Sequence, residues 1–150
     1  MKHEEFYLKV AYALSGCQLI EQELKLYLTQ AFELINKCIN NKLVFKFSGD
    51  DYANASLERL IEAFQKLTNN EELVKELRAF KDERNFLSHK GISHCLDYEG
   101  DLFESTAQEF QIRLDQIEKQ AINLRNKIHN ESADFLGYLY FDDLTENDAG

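Results

Sequence analysis

The chain contains no proline in its 150 residues, although average usage of ~5% would place about seven in that length. Proline removes a backbone N–H and its ring clashes with the preceding turn, so it interrupts α-helices. A chain without proline is therefore well suited to long helices. The hydrophobic fraction of 44% is ordinary for a globular protein, and the length fits one domain with a real core.

Apolar residues recurring at steps of three and four predict four main helices. The first should run from about Glu4 to about Ile39, and Gly16 inside it indicates a bend or a close helix approach. The second begins near Ser56, a suitable N-cap, and the third covers about 71–90. The fourth has the clearest amphipathic repeat, formed by Phe110, Leu114, Ile117, Ala121, Leu124 and Ile128.

Two segments carry the Thr-x-x-Glu spacing of a capping box, Thr68–Glu71 before the third helix and Thr106–Glu109 before the fourth. Gly91 is a natural stop for the third helix. Segment 42–47 (KLVFKF) is compatible with a short strand, a final helical turn or a packed loop. We therefore expect an all-α, up-and-down bundle of four main helices over residues 1–130.

Residues 131–150 differ from the rest, with an aromatic run at 135–141 and an acidic end. They hold six acids and no Lys or Arg, and removing these six charges from the net −10 leaves −4 for residues 1–130. The aromatic run is expected to dock on the bundle, the alternative being a contact for a partner chain. Such an acidic chain should not coat nucleic acid non-specifically, because phosphate contacts need excess Lys and Arg, so no DNA partner is expected and only a small local site for RNA is compatible with this charge.

Three cysteines without CxxC spacing argue against a disulfide framework and suit a reducing cytoplasm. The simplest interpretation of Cys17 and Cys38 is that they are small core residues. The N-terminus has acids where a signal peptide would be basic, and no stretch approaches the ~20 apolar residues of a membrane span. We expect a cytoplasmic protein with no membrane partner.

The third helix carries the residues most suited to chemistry. Its apolar stripe, made of Leu73, Leu77, Phe80 and Leu87, includes Arg84 at a seam position. An arginine there is costly unless it is paired or lies at an interface. The adjoining flank is polar and basic, with the pair Asn85 and His89 among Arg78, Lys81 and Ser88, and Lys90 next to His89 is a further candidate for binding substrate. This flank is a suitable place for a phosphate, or else a solvated face that is basic.

The segment 83–89, Glu-Arg-Asn-Phe-Leu-Ser-His, resembles the signature of the HEPN superfamily, in which Arg and a polar residue precede His by a few positions. The run 57–64, followed by a helix leading into Arg-Asn, also resembles bacterial members. The resemblance implies a two-fold helical dimer that cuts RNA with no metal or other cofactor. Arg84 and His89 would be the catalytic pair, and Asn85 the supporting polar residue.

Family members include toxins of toxin–antitoxin and phage-defence systems, so the resemblance also implies an antitoxin protein as a partner. Members paired with a nucleotidyltransferase antitoxin carry a tyrosine two places after the histidine. Here Gly91 occupies that place, which argues against that particular partnership.

The chemistry of these residue types supports the same function. Histidine suits proton transfer because an imidazole ordinarily titrates near pH ~6.5, and arginine grips phosphate oxygens with a planar fork that stays charged. In a regular α-helix Arg84 and His89 are about 140° apart around the axis, which is awkward for one small site. Two copies meeting across a two-fold axis would bring both pairs together, so we expect an obligate homodimer.

Other arrangements are weaker. The group His89, His94 and Cys95 matches no zinc spacing, so no metal site is expected. Glu21 and Glu23 are most simply an exposed helix face, and segment 125–129, which also contains Arg-Asn and His, is most simply a solvated face. Three functions remain open: the ribonuclease, a catalytically silent module that binds nucleotide or protein, and a helical adaptor in which Arg84 is a structural ion-pair residue.

Overall fold

The computed structural model describes the backbone of residues 3–91 and 101–148 and the side chains of 4–90 and 109–141. Its described residues are helical or irregular, with no β-strand among them. The helices are α1 His3–Ile39, α2 Leu57–Gln65, α3 Glu71–Phe86, α4 Asp101–Glu131 and α5 Phe135–Asp148. The prediction of an all-α bundle built on four main helices is confirmed.

The two longest helices, α1 and α4, lie side by side in the same direction. Lys9 of α1 pairs with Asp115 of α4 at 2.8 Å, and further along Glu23 pairs with His129 at 2.8 Å. Between these pairs, a Cβ placed on Gly16 would stand 2.8 Å from the Ala121 Cβ. The close helix approach expected at Gly16 is therefore present, and it brings the two backbones together.

Helix α3 runs antiparallel to α4. Glu83, near the end of α3, pairs with Arg113, whereas Glu76, earlier in α3, pairs with Lys127 at 2.8 Å. The buried core lies between α1, α2, α3 and α4. Burying apolar surface there stabilises the fold by roughly 25 cal/mol for each Å² removed from water. The largest fully buried members of this core are Phe6, Ile20, Leu24, Leu28, Leu60, Ile61, Phe64, Leu73, Leu77, Phe80, Leu87 and Leu114.

The connection from α1 to α2 returns along α1 as a packed loop. Asn40 and Asn41 adopt left-handed φ angles of 51° and 63°, which asparagine tolerates better than most residues. Phe45 then packs on Phe32, and a 3₁₀ turn at Gly49–Tyr52 follows. Of the three conformations considered for segment 42–47, a loop is the one observed, and it packs only through Phe45 and Phe47 on Phe32, while Leu43 and Val44 are 72% and 82% exposed.

The predicted cap of α2 is confirmed, whereas the two capping boxes are wrong. Ser56 caps α2 by accepting a hydrogen bond from the N–H of Arg59. The cap of α3 is Asn70, not Thr68, because the Asn70 side chain accepts from the N–H of Leu73 at 3.1 Å. The Thr68 hydroxyl instead accepts from the N–H of Asn70, so it shapes the turn before the helix.

Helix α4 begins at Asp101, five residues before the predicted cap at Thr106. Threonine costs well under 1 kcal/mol in a helix interior, so Thr106 does not stop the helix from extending through it.

The C-terminal segment forms α5, which docks on α1. The Phe135 ring lies 5.1 Å from that of Tyr27, and the Lys37 ammonium donates to the carbonyls of Tyr138 and Leu139 at 2.9 Å. Among the described side chains of this helix, Leu139 is half-buried, whereas Leu136, Tyr138, Tyr140 and Phe141 are exposed, with Tyr140 73% and Phe141 63% accessible. Among the described helices, none combines the length and apolar character that crossing a membrane requires.

Candidate functional site

Arg84 leaves α3 on its core-facing side, one turn beyond Phe80. Its Nη2 donates to Oε1 of Glu21, on α1, at 3.4 Å. The Arg84 side chain is 39% exposed and that of Glu21 is 21% exposed. A hydrogen bond this long is weak, and the exposure keeps much of the guanidinium in contact with water. Arg84 is therefore held from one side rather than sealed in the core.

Glu21 and Glu23 do not form the exposed helix face that the sequence predicted. They are about 200° apart around α1, so Glu21 faces Arg84 of α3 while Glu23 faces His129 of α4. The Glu23 side chain is only 10% exposed, and its Oε1 lies 2.8 Å from His129 Nδ1. Buried carboxylates need such partners, so α1 supplies one carboxylate to each neighbouring helix.

The thiol of Cys17 lies beneath the Arg84–Glu21 pair. Its pKa is raised to about 11, chiefly by desolvation, with Arg84 opposing the shift and Glu21 adding to it. The thiolate is the nucleophilic form of cysteine, so a thiol of this pKa is inert at neutral pH. The prediction of a core residue holds for Cys17 but is wrong for Cys38, which is exposed near the end of α1.

The end of the third helix differs from a regular α-helix. The α-helix proper ends at Phe86, and a π-helical turn follows at Leu87–Gly91. In such a turn each N–H bonds the carbonyl five residues back, so each residue advances less around the axis. His89 lies within this turn, so it stands closer to Arg84 around the axis than the about 140° of a regular helix.

The residues predicted to bind substrate point toward different helices. Arg78 donates to Oε1 of Gln65 at 2.6 Å, and Lys81 lies 3.7 Å from Glu58, so both face α2. Lys90 instead borders the groove between α3 and α4. Around the motif itself, Asn85 and His89 are exposed and Ser88 is half-buried. The structure therefore keeps Arg84, Asn85, Ser88 and His89 at one end of the helix. It places Arg78 and Lys81 on the α2 side and Lys90 on the α4 side.

A stacked ladder of side chains beside the motif was not predicted from the sequence. Arg113 of α4 donates two hydrogen bonds to Glu83, at 2.7 and 2.9 Å. Its Cζ lies 3.3 Å from the ring centroid of Phe86, which stacks in turn on Phe110 at 5.3 Å. Hydrogen bonding to Glu83 raises the pKa of Arg113 above its ordinary value. This contact joins residues 30 apart in sequence, and no local pattern signals it.

Metal ligation finds no support among the described side chains, where no three His, Cys, Asp or Glu residues group together. His94 and Cys95, considered above as zinc ligands, lie outside the described residues. In segment 125–129 the expectation of a solvated face holds for the exposed Arg125 and Asn126 but not fully for His129, which is exposed yet pairs with the buried Glu23 carboxylate.

Comparison of the chain with family models, with curated proteins and with solved structures gave no match. The class that the fold defines is an all-helical bundle.

Proposed function

We propose that this chain is a metal-independent endoribonuclease of the toxin or defence type, acting through Arg84, His89 and Asn85. The observation that carries the proposal is the position of Arg84, which points inward along the core stripe yet stays 39% exposed and touches Glu21 only at 3.4 Å. A guanidinium has five N–H donors in a rigid fork, and the single long contact with Glu21 orients that fork without filling it.

The reaction uses groups that these residues supply. The 2′-hydroxyl of RNA attacks the adjacent phosphorus, and an imidazole takes the hydroxyl proton as the new P–O bond forms. Arg84 stabilises the charge that develops on the phosphorane oxygens. The bond to the 5′-oxygen then breaks, a protonated imidazole returns a proton to that oxygen, and the products are a 2′,3′-cyclic phosphate and a 5′-hydroxyl.

One histidine cannot be the base and the acid of a single turnover at the same moment, and this favours a site shared by two copies. His89 lies on the exposed π-helical turn, and Asn85 is exposed one turn before it. Two such helix ends facing each other would contribute two imidazoles and two guanidinium groups. The Asn85 amide, which both donates and accepts, would hold a phosphate oxygen or the partner's imidazole.

The proposed protein is a cytoplasmic homodimer whose substrate is RNA, with a separate antitoxin protein as its natural inhibitor. The cations Arg78, Lys81 and Lys90 and the hydroxyl of Ser88 would contact the phosphates flanking the cleaved bond. Their separation onto the α2 and α4 sides of α3 suits an extended strand better than a compact nucleotide.

The test is cleavage of single-stranded RNA by pure protein in EDTA, with the ends analysed for cyclic phosphate. Arg84→Ala and His89→Ala should each lower the rate by about 100-fold or more, with an unchanged circular dichroism spectrum. Arg125→Ala is the matched control, because it removes an exposed arginine from another helix and should leave the rate unchanged. Equal rates in Arg84→Ala and the control would refute the proposal.

The Arg84–Glu21 contact also favours a second candidate, a helical adaptor in which Arg84 is a structural ion-pair residue. In that case Arg84→Leu alone should destabilise the fold, because it leaves the largely buried Glu21 carboxylate without its partner, whereas replacing both Arg84 and Glu21 by leucine should leave the protein at least as stable. The adaptor would also bind no RNA. A silent binding module differs from both, because it would bind RNA or nucleotide without turning it over.

A further inference from the structure

The groove between α3 and α4 contains a planar cation that is fixed in place. One edge of the Arg113 guanidinium is hydrogen-bonded to Glu83, and one face lies 3.3 Å from the Phe86 ring centroid. Phe86 is supported from behind by Phe110. A guanidinium held at both an edge and a face has lost most of its rotational freedom, so its plane is preorganised.

The Arg113 side chain stays accessible despite these contacts. Although Glu83 and Phe86 cover one edge and one face of its guanidinium, the side chain is still 40% exposed. Arg113 and Glu109 line two adjoining cavities, of about 270 Å³ and about 420 Å³. A ligand in either cavity would therefore contact the Arg113 side chain.

The two cavities differ in the groups that they offer. The smaller one is lined by Phe86, Phe110 and the exposed Lys90, which provides a cation for a phosphate. The larger one adds Gln116 and Gln120, whose amides can donate to and accept from the edge of a nucleobase. The planar guanidinium of Arg113 thus lies between a lysine and two side-chain amides. This combination fits a planar ligand that has polar atoms on its edge and is linked to a phosphate, as a nucleobase is in a nucleotide.

We propose that the α3–α4 groove binds a nucleobase of single-stranded RNA, stacked on the outer face of Arg113, with Lys90 at a neighbouring phosphate. Unpaired bases stack on arginine planes, whereas the bases of a duplex are stacked on one another. Glu83 and Phe86, which fix Arg113, flank Arg84 and Asn85 in α3. The stacked base would therefore lie next to the cleaved bond.

This inference rests on the proposed function in taking RNA as the ligand, and it adds a determinant of base preference. Arg113 is a binding residue here and takes no part in proton transfer. Loss of one base–side-chain stack weakens binding by about 5- to 100-fold. An Arg113 variant should therefore raise KM while changing kcat little, and the effect should vary with the base at that position.

The test uses a short single-stranded RNA that carries 2-aminopurine and a 2′-O-methyl group at every sugar, so that it binds but cannot be cleaved. Its fluorescence should be quenched on binding to the wild-type protein. Arg113→Lys keeps the charge and the partner Glu83 but removes the plane, so we expect about 5- to 100-fold weaker binding and loss of the quench. Arg125→Lys is the matched control and should bind like wild type. Gln116→Ala, an exposed lining residue, should weaken binding even if Arg113→Lys misfolds.

Several results would overturn the inference: no binding by the wild type, equal binding and quenching by Arg113→Lys and wild type, or equal affinity for an abasic or duplex oligonucleotide. Failure of the two proposals is distinguishable. If the base stacks on Arg113 but the parallel EDTA assay shows no cleavage, only the ribonuclease proposal is refuted. If cleavage depends on Arg84 and His89 but not on Arg113, only the proposed stacking site is refuted.

Discussion

Replacing Gly16 by alanine tests how closely α1 and α4 pack. In an exposed helix this substitution stabilises by roughly 1 kcal/mol, because alanine is the better helix former. At Gly16 the new methyl would stand 2.8 Å from the Ala121 Cβ, which is 0.6 Å short of the 3.4 Å at which ordinary contact begins. Neither atom is the end of a flexible side chain, so the helices themselves must move apart.

The expected magnitude follows from two opposing effects. Overpacking a well-filled interface costs about 1–3 kcal/mol, and the helix-forming gain of about 1 kcal/mol offsets part of it. Gly16→Ala should therefore destabilise by about 0–2 kcal/mol, which lowers Tm by roughly 2–4 °C per kcal/mol in a chain of this size. Gly137→Ala, where no atom lies within 4 Å of the added Cβ, is the matched control and should not destabilise.

Urea titration of four proteins separates the effects: wild type, Gly16→Ala, Ala121→Gly and the double variant. Exchanging the two methyl positions restores the space between the helices. The double variant should therefore have a free energy of unfolding about 1–2 kcal/mol higher than the sum of the two single effects predicts. The reasoning would be refuted if Gly16→Ala stabilised the protein as much as a glycine-to-alanine change in an exposed helix and showed no energetic coupling to Ala121. That result would show that α1 and α4 are not tightly packed at this point.

Three further substitutions probe other contacts. His129→Ala leaves the buried Glu23 carboxylate without its 2.8 Å partner and should cost about 1–3 kcal/mol in urea titration, whereas adding Glu23→Leu should recover most of that loss. Because burial raises the pKa of the folded-state Cys17 thiol to about 11, above its ordinary value of 9.0, the folded state holds this proton in a pH range where the unfolded state has lost it. The resulting stability is complete below pH 9 and falls by about 2–3 kcal/mol toward pH 11; a Cys17→Ala variant with the same pH slope as wild type would contradict this. Asn70→Ala removes the cap bond to the N–H of Leu73 and should lower stability by about 0.5–2 kcal/mol, and no change would identify another cap.

The sequence predicts the parts of this fold that depend on local periodicity. The span of α1, the Ser56 cap and the repeat from Leu114 to Ile128 follow from apolar spacing and cap chemistry, because a helix must bury one stripe. The all-helical class follows for the same reason. These features depend on neighbours within a few positions along the chain.

The errors arise where two local signals compete or where tertiary contacts decide. Thr68 and Asn70 are both good caps, and the side chain that reaches the N–H of Leu73 is that of Asn70. Thr106 has the spacing of a cap but lies inside a helix that begins at Asp101. The π-helical turn at Leu87–Gly91 has no pattern of its own, and it changes the angle on which the site geometry depended.

For the candidate site, sequence reasoning reaches only the residues that lie on a single helix, α3. The seam position of Arg84 follows from the spacing of Leu77, Phe80 and Leu87, but its contact with Glu21 does not. The Arg113–Glu83 pair joins two helices whose relative position no local pattern specifies. Residues brought together from distant segments are therefore the part that required a structure.

The parallel pairing of α1 with α4 has a consequence for biosynthesis. Lys9 and Glu23 pair with residues 106 positions further along the chain, so each meets its partner on α4 only after 106 further residues have been translated. At about 5–20 residues per second, a nascent chain would wait roughly 5–20 s with the apolar side of α1 uncovered. A ribosome stalled before residue 115 would thus carry an incomplete bundle whose exposed apolar surface chaperones and proteases can recognise.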